Sequence, residues 1–127
     1  MRPGSVLLVE DNVDDVYLTR RILHKAGVEV ITVAGDGQEA LEMLLPDALP
    51  LPGMVIIDLR LPRVSGLKLL AELRRQERTM ALPVLILTSS DDPNDREACL
   101  KLGALAFLSK PLELNDLQQV FCGLSPA

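Results

Sequence analysis

Acid, hydroxyl and amine side chains stand where four apolar runs of this chain end. Glu10-Asp11 follow Val6-Leu7-Leu8-Val9, Asp58 follows Met54-Val55-Ile56-Ile57, Thr88 follows Val84-Leu85-Ile86-Leu87, and Lys110-Pro111 follow Phe107-Leu108-Ser109. Three carboxylates brought together repel one another, each pair by about 4 kcal/mol at roughly 4 Å and an effective dielectric of 20. A positive partner must offset that. Mg2+ suits the set, because it takes oxygen ligands from one or two carboxylates and completes its octahedron with water and phosphate oxygens. Asp58 would then serve as cation ligand through one oxygen and as nucleophile towards phosphorus through the other. Lys110 would pair with a phosphoryl oxygen and the Thr88 hydroxyl would donate to another. Taken singly, each has a plainer reading: Glu10 and Asp11 as helix-cap acids, Asp58 as a loop carboxylate, Thr88 with Ser89 and Ser90 as a cap, Lys110 as a surface amine.

The elements that must position these groups alternate. Short apolar runs at Ser5-Glu10, Glu29-Val33, Met54-Asp58, Pro83-Thr88 and Ala106-Ser109 read as strands, several nearly continuous in Val, Ile and Leu, as in a parallel sheet covered on both faces. Segments of helical period lie between them: Val13-Ala26, with Leu18, Ile22 and Ala26 as its inner stripe and Gly27 ending it; Gln38-Leu45 after the Asp36-Gly37 turn; Gly66-Arg78; Asn94-Leu102; and a last helix marked by Leu114, Leu117, Phe121 and Leu124. Pro46, Pro50 and Pro52 make Pro46-Gly53 a loop. The pattern predicts an α/β fold with a doubly wound five-stranded parallel sheet of order 2-1-3-4-5, whose ligands bind outside the carboxyl ends of the strands.

A length of 127 residues fits one domain, 1–127, and 48% hydrophobic residues fit a folded core. A net charge of -5, with one Tyr, two Phe and no Trp, argues against direct nucleic-acid binding. No apolar run approaches the roughly 20 residues of a membrane span, and no signal-peptide pattern opens the chain, so a cytoplasmic protein is expected. Cys99 and Cys122 read as reduced, largely buried thiols. His24 falls off the inner stripe and reads as solvated.

The set Val9-Glu10-Asp11-Asn12, Asp58-Leu59-Arg60-Leu61-Pro62 with Gly66, Thr88-Ser89 and Lys110-Pro111 resembles the receiver domain of two-component response regulators over essentially the whole chain. That resemblance implies a flavodoxin-like (βα)5 fold in which Asp58 accepts a phosphoryl group from a sensor histidine kinase. It also implies that Glu10, Asp11, Asp58 and the Arg60 backbone carbonyl hold Mg2+, that Lys110 and Thr88 contact the phosphoryl group, and that the Lys110-Pro111 bond is cis. Such a domain is no enzyme beyond catalysing its own phosphorylation and dephosphorylation. The family's aromatic switch position falls on Phe107, where many members carry Tyr; a rotation of Phe107 towards space left by Thr88 would be read through packing alone. Arg60 and Ser90 occupy positions bordering the path of the hydrolytic water.

With no output domain expected, the signal would leave through a surface. The resemblance points to the face of the fourth helix, fifth strand and fifth helix, with Leu112, Val120 and Phe121 on or near it, as a homodimer or docking face. The loops Asn12-Val13-Asp14-Asp15, Pro46-Gly53 and Ser89-Ser90-Asp91-Asp92-Pro93 further resemble receivers that serve phytochrome-type sensor kinases, which implies a bacteriophytochrome-type donor and a histidine phosphotransfer protein as a further partner. Two rival readings are an aspartate-nucleophile phosphatase, disfavoured because Arg60 stands where a second acid is needed, and a degenerate receiver that binds partners without phosphorylation.

Overall fold

The side chains of β1 (Ser5–Val9) alternate between two cores, Val6 and Leu8 into one and Leu7 and Val9 into the other. Successive strand residues point to opposite faces, so a strand buried on both sides needs apolar residues at every position. β3 (Met54–Ile57) and β4 (Val84–Thr88) follow the same rule. In the computed structural model, which describes residues 2–124, β2 (Val30–Ala34) and β5 (Ala106–Ser109) complete a parallel sheet of order β2-β1-β3-β4-β5. The predicted fold class and strand order are those found; Met1 and residues 125–127 of the predicted 1–127 domain lie outside the described residues.

Right-handed crossovers place helices on both faces. The side chains of α2 (Gly37–Leu44), α3 (Gly66–Arg75) and α4 (Pro93–Lys101) close one core through Ala40, Leu44, Leu69, Leu70, Leu73 and Cys99. Those of α1 (Val13–Lys25) and α5 (Leu114–Cys122) close the other through Leu23, Leu117 and Phe121. Each fully buried Leu contributes about 1.5–3 kcal/mol.

Several local expectations are corrected. Of the predicted stripe of α1, Ile22 and Ala26 pack against the core, but Leu18 is 45% exposed and the buried positions are Thr19 and Leu23. The stripe is set by register from Val16, which brings Thr19 rather than its larger neighbour to the core. α3 stops at Arg75, three residues early, because Gln76 turns extended at ψ 131° and the Thr79 hydroxyl donates back to the Leu73 carbonyl at 2.7 Å. Asp92 caps α4, with Pro93 at its first position. Cys99 is buried but Cys122 is exposed. Leu112 and Phe121, expected near a docking face, belong to the α1/α5 core, whereas Leu105 is exposed.

The sheet's hydrogen bonding runs one residue past three strand ends. Glu10 N–H donates to the Ala34 carbonyl at 2.9 Å, Asp58 N–H to Val9 at 3.2 Å, and Lys110 N–H to Thr88 at 3.0 Å. Backbone pairing therefore fixes the three charged residues before their side chains interact. Behind Asp58, Gly66 allows α3 to approach the strand: a Cβ there would lie 2.2 Å from the Asp58 carbonyl oxygen and 2.6 Å from Leu59 Cα. Gly66→Ala is expected to cost about 1–3 kcal/mol, an overpacking penalty that only a shift of the Asp58-Leu59 backbone relieves. Denaturant unfolding of the variant beside wild type checks this.

Candidate functional site

Lys110 lies at the end of β5 and reaches across the carboxyl edge of the sheet. Its ammonium contacts Glu10 Oε1 at 2.6 Å, Asp15 Oδ2 at 2.8 Å and Asp58 Oδ2 at 2.8 Å. An ammonium has three N–H donors, and each meets a different carboxylate. Glu10 and Asp58 are almost wholly buried, while the Asp15 side chain is 33% exposed. Glu10 Oε2 accepts from Asn12 N–H at 3.2 Å, and Asp58 Oδ1 accepts from Arg60 N–H at 3.2 Å. Thr88, fully buried, accepts the Ser90 N–H at its hydroxyl oxygen at 3.2 Å.

These contacts divide the carboxylates. Burial pushes the Asp58 carboxyl up, but Lys110, the Arg60 N–H and the Thr88 hydroxyl together hold it below the ordinary value. For Glu10 burial is the larger influence, and despite Lys110 and the Asn12 N–H its carboxyl is raised. Burial alone would lower the Lys110 ammonium; its carboxylate partners, Asp15 first, raise it instead. Asp58 is thus kept ionised with oxygen lone pairs available, the state a nucleophile requires.

Glu10, Asp11 and Asp58 each offer a carboxylate oxygen within 4.8 Å of the others. Oxygens around Mg2+ sit about 3 Å apart in adjacent positions and about 4.2 Å in opposite ones, given metal–oxygen distances of about 2.1 Å. The donor set fits such an ion in chemistry, with all three oxygens within reach of one site. It also fits in charge: if all are ionised, four carboxylates (Glu10, Asp11, Asp15, Asp58) against one ammonium leave a charge of -3, which a divalent cation reduces to -1.

The structure thus brings Glu10, Asp11, Asp58, Thr88 and Lys110 to one edge. Arg60 joins through its N–H, with its side chain exposed. The Ser90 hydroxyl donates to Asp95 Oδ2 at 2.8 Å, and Phe107 is buried in the α2/α3/α4 core. The Lys110–Pro111 peptide bond is cis. At the rim, Arg63, with φ 64°, bonds Asp36 through Nε at 3.1 Å and joins the β3–α3 loop to the cap of α2. Sequence reasoning missed Asp15 as a partner of Lys110. Its signal was position: Asp15 stands in the first turn of the helix that begins two residues after Asp11.

Replacing Lys110 by Met removes the counter-charge and keeps most of the alkyl stem. Asp58 then joins Glu10 in having a folded pKa above its unfolded value of about 4. A raised carboxyl favours folding below its unfolded pKa and disfavours it as pH rises through the folded one. Lys110→Met is therefore expected to lose about 2 kcal/mol at neutral pH, with the deficit shrinking as the pH falls towards about 4; unfolding curves at several pH values check it.

The family model for the response regulator receiver domain matches residues 6–121. The chain is 36% identical over 121 residues to the probable methanogenesis regulatory protein FilR2 of Methanothrix harundinacea, covering 92% of this chain and 78% of that one. Among solved structures it is similar to the bacteriophytochrome response regulator AtBRR, 33% identical, with a TM-score of 0.82, covering 100% of this chain and 98% of that one. It is similar too to the Mn2+-bound form of response regulator Rcp1, a protein of Synechocystis sp., at 28% identity and a TM-score of 0.81, covering 98% of this chain and 100% of that one. With the acidic edge, the lysine and the 2-1-3-4-5 sheet in place beneath these matches, the chain belongs to the response regulator receiver domain family.

Proposed function

We propose that this protein is a phosphorylation-dependent signalling switch: Asp58 accepts a phosphoryl group from the phosphohistidine of a sensor kinase. The observation that carries this reading is the buried Asp58 carboxylate, paired with the Lys110 ammonium at 2.8 Å beside the acidic cluster of Glu10 and Asp11. An Asp58 oxygen forms a bond to phosphorus as the phosphorus–nitrogen bond breaks, and the departing imidazole takes a proton from water. Lys110 and Thr88 then donate to phosphoryl oxygens as negative charge spreads over them. Glu10, Asp11, Asp58 and the Arg60 carbonyl would hold Mg2+, which when bound neutralises charge on the phosphoryl group; the Mn2+-bound Rcp1 structure supports a divalent cation in this fold.

Withdrawal of the Thr88 hydroxyl towards the phosphoryl group gives Phe107 room to repack, so the switch is read through β5 without a phenolic hydroxyl. Leu105, Leu108 and Val120 give the α4–β5–α5 face an apolar patch for association of two copies. Arg60, where a hydrolase would need a second acid, supports a stoichiometric switch over a turning-over phosphatase. The similarity to AtBRR supports a bacteriophytochrome-type kinase as donor.

Intact-mass spectrometry after incubation with Mg2+ and phosphoramidate should show one added phosphoryl group on wild type and none on Asp58→Asn or after chelation of the metal. An unmodified, folded wild type would refute the reading, and a phosphorylation-dependent shift in size-exclusion elution is the sign of association. A radiolabelled bacteriophytochrome kinase should pass its phosphoryl group to wild type within minutes. Transfer from unrelated histidine kinases at equal rates would remove the phytochrome assignment and leave the switch intact.

A further inference from the structure

We propose that Asp15 is a positioning residue that holds the Lys110 ammonium in place while its other two carboxylate partners change state; this rests on the reading of Asp58 as phosphoryl acceptor. All three donors of Lys110 are occupied, by Glu10, Asp58 and Asp15. To bond a phosphoryl oxygen, the ammonium must release one of them. Asp58 is released first, because esterification moves its negative charge from the carboxylate onto the phosphoryl oxygens. Glu10 is committed elsewhere, since its carboxylate lies in the acidic cluster with Asp11 and Asp58 and its second oxygen bonds Asn12 N–H. Asp15 lies outside that cluster, so its carboxylate is the one partner of Lys110 that neither phosphorus nor a cation claims.

Its placement suits a fixed anchor. The Asp15 N–H donates to the Asn12 side-chain oxygen at 3.0 Å, which ties it to the capped first turn of α1. An acid in a first helical turn is commonly no more than a partner of the helix dipole. Here its carboxylate is spent on an ammonium 95 residues away in the chain, at the end of β5, which β3 and β4 separate from β1. The lysine side chain has four rotatable carbons and little intrinsic preference for one direction. With Asp15 neutralised, the ammonium settles between Glu10 and Asp58 and is poorly placed for the incoming phosphoryl group.

The test uses wild type, Asp15→Asn and Asp15→Glu at saturating Mg2+ with phosphoramidate. The phosphorus–oxygen bond to Asp58 forms as the phosphorus–nitrogen bond breaks, and ammonia leaves with a proton from water. Asp15→Asn should accept the phosphoryl group roughly tenfold more slowly, the effect of losing one charge-assisted hydrogen bond, and Asp15→Glu should restore most of the rate. In the unphosphorylated protein, the side-chain ammonium resonance of Lys110 should be protected from exchange in wild type and Asp15→Glu and lost in Asp15→Asn. Equal rates for wild type and Asp15→Asn, failure of Glu to restore the rate, or a Lys110 resonance indifferent to Asp15 would each overturn the proposal. A wild type that takes no phosphoryl group overturns the Asp58 reading itself, a distinguishable result.

Discussion

One ammonium balances three carboxylates at the carboxyl edge of this sheet, and the rest of the site depends on that constraint. Without Lys110, Glu10 and Asp58 would face each other as buried like charges, and the strand ends that carry them would be forced apart. With it, the carboxylates divide in character: burial keeps Glu10 reluctant to ionise, while the added donors from Arg60 and Thr88 keep Asp58 anionic. The same ammonium joins β1, β3, β5 and the start of α1. Electrostatic balance and the geometry of the sheet are therefore one problem with one solution.

The backbone prepares that solution. Because ladder hydrogen bonds continue through Glu10, Asp58 and Lys110, the charged residues inherit the rigidity of buried strands. Gly66 brings α3 against Asp58, and Arg74 ties the other end of α3 down by donating to the Leu102 carbonyl at 2.7 Å and the Leu82 carbonyl at 2.9 Å. Preorganised donors and acceptors cost little reorganisation when charge moves. What remains free to respond is small: the Lys110 stem, the Thr88 hydroxyl and the loops above the sheet.

The layout of this fold was legible because burial on both faces leaves continuous apolar runs, a pattern few other arrangements need. The site residues were legible because they terminate those runs. What escaped the sequence depended on register and on long-range pairing. Thr19 lines the core because Val16 sets the phase of α1, although Leu18 is the more apolar residue. Arg75 ends α3 because Thr79 folds back on Leu73, a contact with no period to betray it. Asp15 reads as an ordinary first-turn acid until the fold brings Lys110 to it. In the first two cases a neighbour within a few residues decided the place, and in the third a partner 95 residues away did.

The two ends of the sheet answer to different demands. The loops above it carry the charged machinery, whereas Pro46–Gly53 enters β3 from below, secured where Gly53 N–H donates to the Ser5 carbonyl at 2.9 Å and where Arg78 bonds the Leu44 carbonyl at 3.0 Å. The ion pairs and hydrogen bonds around Asp58 involve no residue of that lower connection. Evolution can thus write lineage-specific identity on the underside of the domain while the chemistry above stays constant, and two paralogues in one cell can be told apart without either losing its switch.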